Sequence, residues 1–131
     1  MPATSFPEYA REVTAVLNAL VAADLGRLVD FQIDQRSMLR GLVAGVLIFN
    51  DESELHFREY VDLTLEQYRL MYAYHYQSAA SEMLFRYDNA AHRPALSKPE
   101  HKHTAVGVIE AEPPLLADIV AEALTHVSED F

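Results

Sequence analysis

The sequence predicts an α+β domain: an antiparallel sheet of five to six strands, connected as a meander and flanked by an N-terminal and a C-terminal helix. Three observations predict it. Apolar residues recur at helical spacing near both ends of the chain. Between those ends the period drops to two, with β-branched and aromatic runs. Short polar clusters separate the runs at hairpin spacing. The order of helix, strands and helix places helices on one face of a meander. The 131 residues fit a single domain, 1–131, large enough to bury a core without a staple.

Residues 5–23, SFPEYAREVTAVLNALVAA, read as the first helix. Ser5 can cap it, Pro7 suits the first turn, and Glu8 sits where the helix dipole favours an acid. Val13, Val16, Leu17, Leu20 and Val21 form its stripe, and Gly26 stops it. In LVDFQID, Val29, Phe31 and Ile33 alternate with Asp30, Gln32 and Asp34. The apolar run 38–49 suits a central strand, and its Gly41 and Gly45 predict a bulge or a close backbone approach. Asn50 to Ser53 turn the chain into a strand at 54–62. Residues 63–67 connect to the tyrosine-rich strand 68–77, and SAASE connects to MLFRYD, 83–88. A loop follows, then a short strand from Val106 to Ile109. Pro113-Pro114 open a second helix, whose stripe is Leu115, Leu116, Ile119, Val120 and Leu124.

Composition narrows the function. Cysteine is absent, which excludes a disulfide framework and a Cys-type zinc site and suits a reducing cytosol. No basic segment leads into an apolar one at the N-terminus, and no apolar run reaches the roughly 18 residues of a membrane span. A cytoplasmic protein without membrane contact is expected. The net charge of −10 argues against bulk nucleic-acid affinity. The charge is uneven: residues 104–131 hold six acids and no Lys or Arg, whereas 36–103 hold nine acids and eight bases. Acidic ends suit a basic partner, or solubility alone.

Strand parity sorts the side chains. If the apolar face docks on the helices, Arg58, Arg69, His75 and Arg86 meet on the uncovered face. Arginine for phosphate and tyrosine for base stacking would make that face an RNA platform; ordinary cross-strand ion pairs are the plainer reading. The stretch 85–104, FRYDNAAHRPALSKPEHKHT, holds three of the six histidines and four of the ten basic residues. RNA cleavage without a metal needs a base for the 2′-hydroxyl, an acid for the leaving 5′-oxygen, and cations for the phosphate. His92, His101 and His103 can move protons, Arg86, Arg93 and Lys102 can carry charge, and Asp88 can orient a histidine. Glu59 is a further base candidate. A competing reading makes His101 and His103, two residues apart, metal ligands with Asp88 and either His92 or His75; this spacing matches no specific zinc signature. The plainer reading anchors the loop through Asp88, Asn89 and histidine bonds to backbone.

The pieces FNDESELHFREYVD at 49–62, YAYHYQ at 72–77, RYDNAAH at 86–92 and HKHT at 101–104 resemble the TumE family of toxins from bacterial and archaeal toxin–antitoxin pairs. Members carry Phe-x-Asp-Gly-Ser-x-Leu-x-x-x-Glu, a Tyr-x-Tyr-His-Tyr-Gln strand, Arg-Tyr-Asp-Asn followed by a small residue and His, and then His-Lys-His. The resemblance covers about 49 to 105 and the second helix. Two positions depart from the pattern: Glu52 stands where the family has Gly, and Ala91 where it usually has Pro. The resemblance implies a small cytoplasmic toxin with a cognate antitoxin, often a helix-turn-helix protein.

Residues and resemblance together lead to a toxin acting as a metal-independent endoribonuclease, with no cofactor. His92 and one of His101 or His103 form the expected acid–base pair. Arg86 and Lys102 stabilise the phosphorane, and Asp88 orients a histidine. Arg58, Arg69, His75, Tyr87 and Arg93 bind substrate. The antitoxin binds the loop face or the helices, whose stripes also admit a homo-oligomer. The alternatives are a non-catalytic binding module in a regulatory complex and a metal-dependent hydrolase or nucleotidyl-modifying enzyme.

Overall fold

A computed structural model describes residues 3–90 and 100–127. Helix α1 (Phe6–Ala22) starts at Ser5, whose hydroxyl accepts the Glu8 N–H, and carries Pro in its first turn. Strands β1 (Gly26–Gln35), β2 (Arg40–Phe49), β3 (Glu54–Asp62), β4 (Arg69–Gln77), β5 (Met83–Asp88), β6 (His101–Thr104) and β7 (Gly107–Glu110) follow, and helix α2 (Leu116–Leu124) ends the succession. The strands lie in sequence order in one sheet, each antiparallel to the next. The expected meander is therefore present, with seven strands among the described residues rather than five or six. The added strand is His101-Lys102-His103-Thr104. It is short and polar and lacks a β-branched apolar run, and its order comes from pairing on both sides, with β5 and β7. No described helix is long and apolar enough to cross a membrane.

Both helices pack on one face of the sheet. The α1 residues Phe6, Leu17 and Leu20 are buried with Val43, Leu47, Phe49, Leu55, Phe57 and Val61 of β2 and β3. Tyr74, Tyr76 and Phe85 continue this layer, and Ile119 and Ala123 of α2 close it. The β4 tyrosines at 72, 74 and 76 are thus core residues. Gly41 lets the two layers meet: a Cβ there would stand 2.3 Å from the Phe6 ring. Gly45 answers a bulge on the neighbouring strand. Register shifts between Val29 and Gln32, Asp30 turns to φ 52°, and a Cβ on Gly45 would lie 3.3 Å from Phe31 Cα. This bulge corrects the expected alternation. Phe31 packs with the core, but Val29, opposite Val46, falls on the other face, and Leu28 takes its place against the core.

A second irregularity lies in β4. Tyr60 pairs with Met71, yet Val61 pairs with Arg69, so Leu70 is the extra residue. Asn89 fits this bulge: its side chain accepts the Tyr72 N–H at 3.0 Å and donates to the Leu70 carbonyl at 3.1 Å. The turn after β2 places Glu52 at φ 67°, the left-handed region that favours glycine.

Candidate functional site

The sheet face opposite the helices brings together a row of cationic and imidazole side chains. His56 stands opposite His75, His75 opposite Arg86, and Arg86 opposite His103, across β3, β4, β5 and β6. Two residues along each strand, on the same face, runs a second row: Arg58, Ala73, Asp88 and His101. Neighbouring strands are about 4.8 Å apart, so His75 and His103 each stand about one such spacing from Arg86 and roughly 10 Å from each other, backbone to backbone. No described helix covers these residues. A groove of about 380 Å³ runs over His56, His75 and Arg86 of the first row and Arg58 and Ala73 of the second, with Asp30 also lining it, and stops short of Asp88, His101 and His103.

Asp88 is the hub of this face. It is buried, and His101 Nε2 lies 2.6 Å from its Oδ1, which also accepts the Ala90 N–H at 3.2 Å. Arg86 Nε donates to its Oδ2 at 2.8 Å, and His103 Nε2 lies 3.5 Å from the same oxygen. The His101 and His103 rings meet edge to face at 4.8 Å. His101 is 2% exposed, whereas the His103 side chain keeps 26% of its surface, so His103 is the imidazole of this pair that a substrate can reach. Asp88, His101 and His103 offer one ligand atom each within 4.8 Å of one another, enough for three metal ligands. The guanidinium of Arg86 on Asp88 opposes a second cation there.

His75 is partly buried. Its Nε2 lies 3.1 Å from Gln77 Oε1, and its Nδ1 is buried without a hydrogen-bond partner among the described residues. Burial, and then the charges of Arg86 and His56, hold its pKa below the usual histidine value, against the opposing bond to Gln77. This imidazole is accordingly kept neutral beside an arginine. Arg58 is exposed over the groove and forms no ion pair among the described residues. His56 joins the row and pairs with Glu54 at 2.9 Å.

Three expected site residues lie on the helix side. Lys102 lies between His101 and His103 in sequence, so strand alternation sends it the other way. Its ammonium lies 2.8 Å from Glu122 of α2, over the rings of Phe85 and Tyr87. Tyr87 likewise donates to Glu122 at 2.6 Å. Arg69 was expected on the open face, but the bulge at Leu70 reverses its side. It donates to the Tyr74 hydroxyl at 2.8 Å and to the Pro114 carbonyl. There it joins buried Glu59, whose carboxylate accepts from the Tyr9 and Tyr74 hydroxyls. Burial and Glu59 raise the pKa of both tyrosines. Glu59 is therefore the centre of an interior network remote from the histidine row. His92 and Arg93 lie outside the described residues.

The family model for toxin TumE matches residues 6–131. No curated protein and no solved structure matches the chain. The match extends beyond the motif pieces at 49–105 to both helices. The chain belongs to the TumE toxin family.

Proposed function

We propose that this toxin is a metal-independent endoribonuclease whose centre is the row His75–Arg86–His103. The observation that carries the reading is the register: two imidazoles on β4 and β6 flank one guanidinium on β5, on a face without a described helix. A phosphodiester over Arg86 would have an imidazole on either side. Neutral His75, its Nε2 released from Gln77 Oε1 and carrying the lone pair, would take the proton of the 2′-hydroxyl as its oxygen attacks phosphorus. His103, protonated and paired with Asp88, would give its proton to the leaving 5′-oxygen. The products would be a 2′,3′-cyclic phosphate and a 5′-hydroxyl. Arg86 would balance charge on the phosphorane, and Arg58 would hold a neighbouring phosphate. Asp88 and buried His101 would position His103 and Arg86. This assignment moves His75 from substrate binding to proton transfer and leaves Lys102 to the fold.

Family membership makes the chain the toxin component of a pair, with an antitoxin as its partner. A helix-turn-helix antitoxin and an RNA substrate belong to the proposal. The test is cleavage of a defined RNA by purified protein in excess EDTA, with product termini read by mass spectrometry. His75→Ala, Arg86→Ala and His103→Ala should each lower the rate about 10²-fold or more in folded protein, on the scale of a lost proton-transfer or phosphate-binding group. Undiminished cleavage by the folded His75→Ala and His103→Ala variants would sink the assignment. Activity abolished by EDTA and restored by a divalent ion would favour Asp88, His101 and His103 as metal ligands instead.

A further inference from the structure

A second groove, of about 530 Å³, lies on the helix side between α1, the start of α2 and the β3–β4 connection. Its walls are apolar: Val13 and Val16 from α1, Leu116 from α2 and Leu115 just before it. Leu115 is 54% exposed, although it sits between two packed elements. Tyr9 and Glu59 also line the groove, and Glu12 and Glu66 stand exposed on its rim. Neither Glu12 nor Glu66 forms an ion pair among the described residues. Arg69 is the one cation among the described lining residues, and its guanidinium is held by Tyr74 and the Pro114 carbonyl. The surroundings keep the same sign, since residues 104–131 contain no Lys or Arg.

An apolar trough edged by uncompensated carboxylates complements a segment that is apolar on one side and cationic along its margin. We propose that this groove is the docking site for the antitoxin, through a basic amphipathic segment. Its apolar side chains would fill the space between Val16 and Leu115, and its Lys or Arg residues would meet Glu12 and Glu66. The occupant is thus a protein of opposite charge. A second copy of this chain would bring like charges together. The inference rests on the family's pairing with an antitoxin and not on the ribonuclease reading. Glu12 and Glu66 lie on the opposite side of the sheet from His75 and His103, so their variants keep cleavage.

The test titrates the full-length chain with the antitoxin encoded beside it, by calorimetry at low and high salt. Glu12→Lys/Glu66→Lys should weaken binding roughly tenfold or more at low salt and flatten the salt dependence, because like charges then face each other. Glu12→Gln/Glu66→Gln should weaken it less. Glu82→Lys, at the exposed β4–β5 turn, should bind as wild type. Equal affinity for wild type and both groove variants would overturn the proposal, as would equal weakening by Glu82→Lys or no complex with wild type. A self-association of the isolated chain that the groove variants abolish would assign the groove to a second copy and also overturn it. Loss of antitoxin binding with RNA cleavage intact separates this result from the fate of the ribonuclease reading.

Discussion

Replacing Glu59 by Gln distinguishes a structural carboxylate from a catalytic one. Glu59 is 1% exposed and accepts from Tyr9 and Tyr74, which are 8% and 0% exposed. The Tyr74 oxygen already accepts from Arg69. A glutamine amide keeps one acceptor oxygen, so one of the two tyrosine hydroxyls loses its acceptor in the interior. An orphaned buried donor costs about 1–3 kcal/mol. The surviving bond loses its charge assistance, and Arg69 loses a nearby anion, together about 1 kcal/mol. A fall of about 2–4 kcal/mol is expected, a large share of the roughly 5–15 kcal/mol of a typical domain. With a urea slope of about 2 kcal/mol/M, the unfolding midpoint should drop by about 1–2 M. Cleavage per folded molecule should stay within about twofold, where loss of a proton-transfer group would cost roughly 10²–10⁴-fold. A midpoint unchanged within error would refute the stability reasoning, because desolvation of the carboxylate would then cancel its bonds. A folded but inactive Glu59→Gln protein would refute the placement of the chemistry on the opposite face.

The other predictions follow from single contacts. Glu52→Gly should stabilise the protein by about 0.5–1 kcal/mol by relieving φ 67°, since the exposed ion pair with Arg27 contributes little; urea unfolding checks it. Gly41→Ala should destabilise by about 1–3 kcal/mol through the clash with Phe6, and pairing it with Phe6→Leu should recover part of the loss in the same assay. His75 binds its proton less readily folded than unfolded, so stability should decline as pH falls below about 6.5; His75→Gln should remove that part of the slope in pH-dependent melts. Lys102→Met should leave cleavage per folded molecule unchanged while hydrogen exchange in α2 rises, because Lys102 holds Glu122.

Most of the fold is legible in local pattern. β3 and β5 span 54–62 and 83–88 as expected, because clean alternation between turn residues leaves little freedom in their bounds. α1 is one residue shorter at each end than the expected 5–23, as its cap requires. β6 and the two bulges were not legible, and the reason is common to them. Each depends on a neighbour: β6 on β5 and β7, the Asp30–Phe31 bulge on Gly45, and the Leu70 bulge on the Asn89 amide. Gly45 did signal a close approach, without saying on which strand the extra residue would lie. A bulge also reverses parity beyond it, which is why Arg69 and Val29 take the faces opposite to those expected.

The same alternation divides the family's motifs into two devices. In Arg86-Tyr87-Asp88 and His101-Lys102-His103 the outer residues go to the open face and the middle ones toward α2. A loop reading of 85–104 pools all six as candidate chemistry. The strand reading separates an Asp88-centred cluster from a Tyr87–Lys102–Glu122 clamp that holds the second helix. Net charge then bears on each face separately. The groove over His56, His75 and Arg86 has two arginines, Arg58 and the Asp88-paired Arg86, against Asp30, while the helix-side groove has three glutamates against one bound arginine. A chain with net charge −10 can thus offer phosphate a locally cationic surface and still present its acidic side to a basic partner. Because Tyr87 and Lys102 share strands β5 and β6 with Arg86, Asp88, His101 and His103, a partner that shifts α2 by its docking would strain the strands that carry the proposed centre.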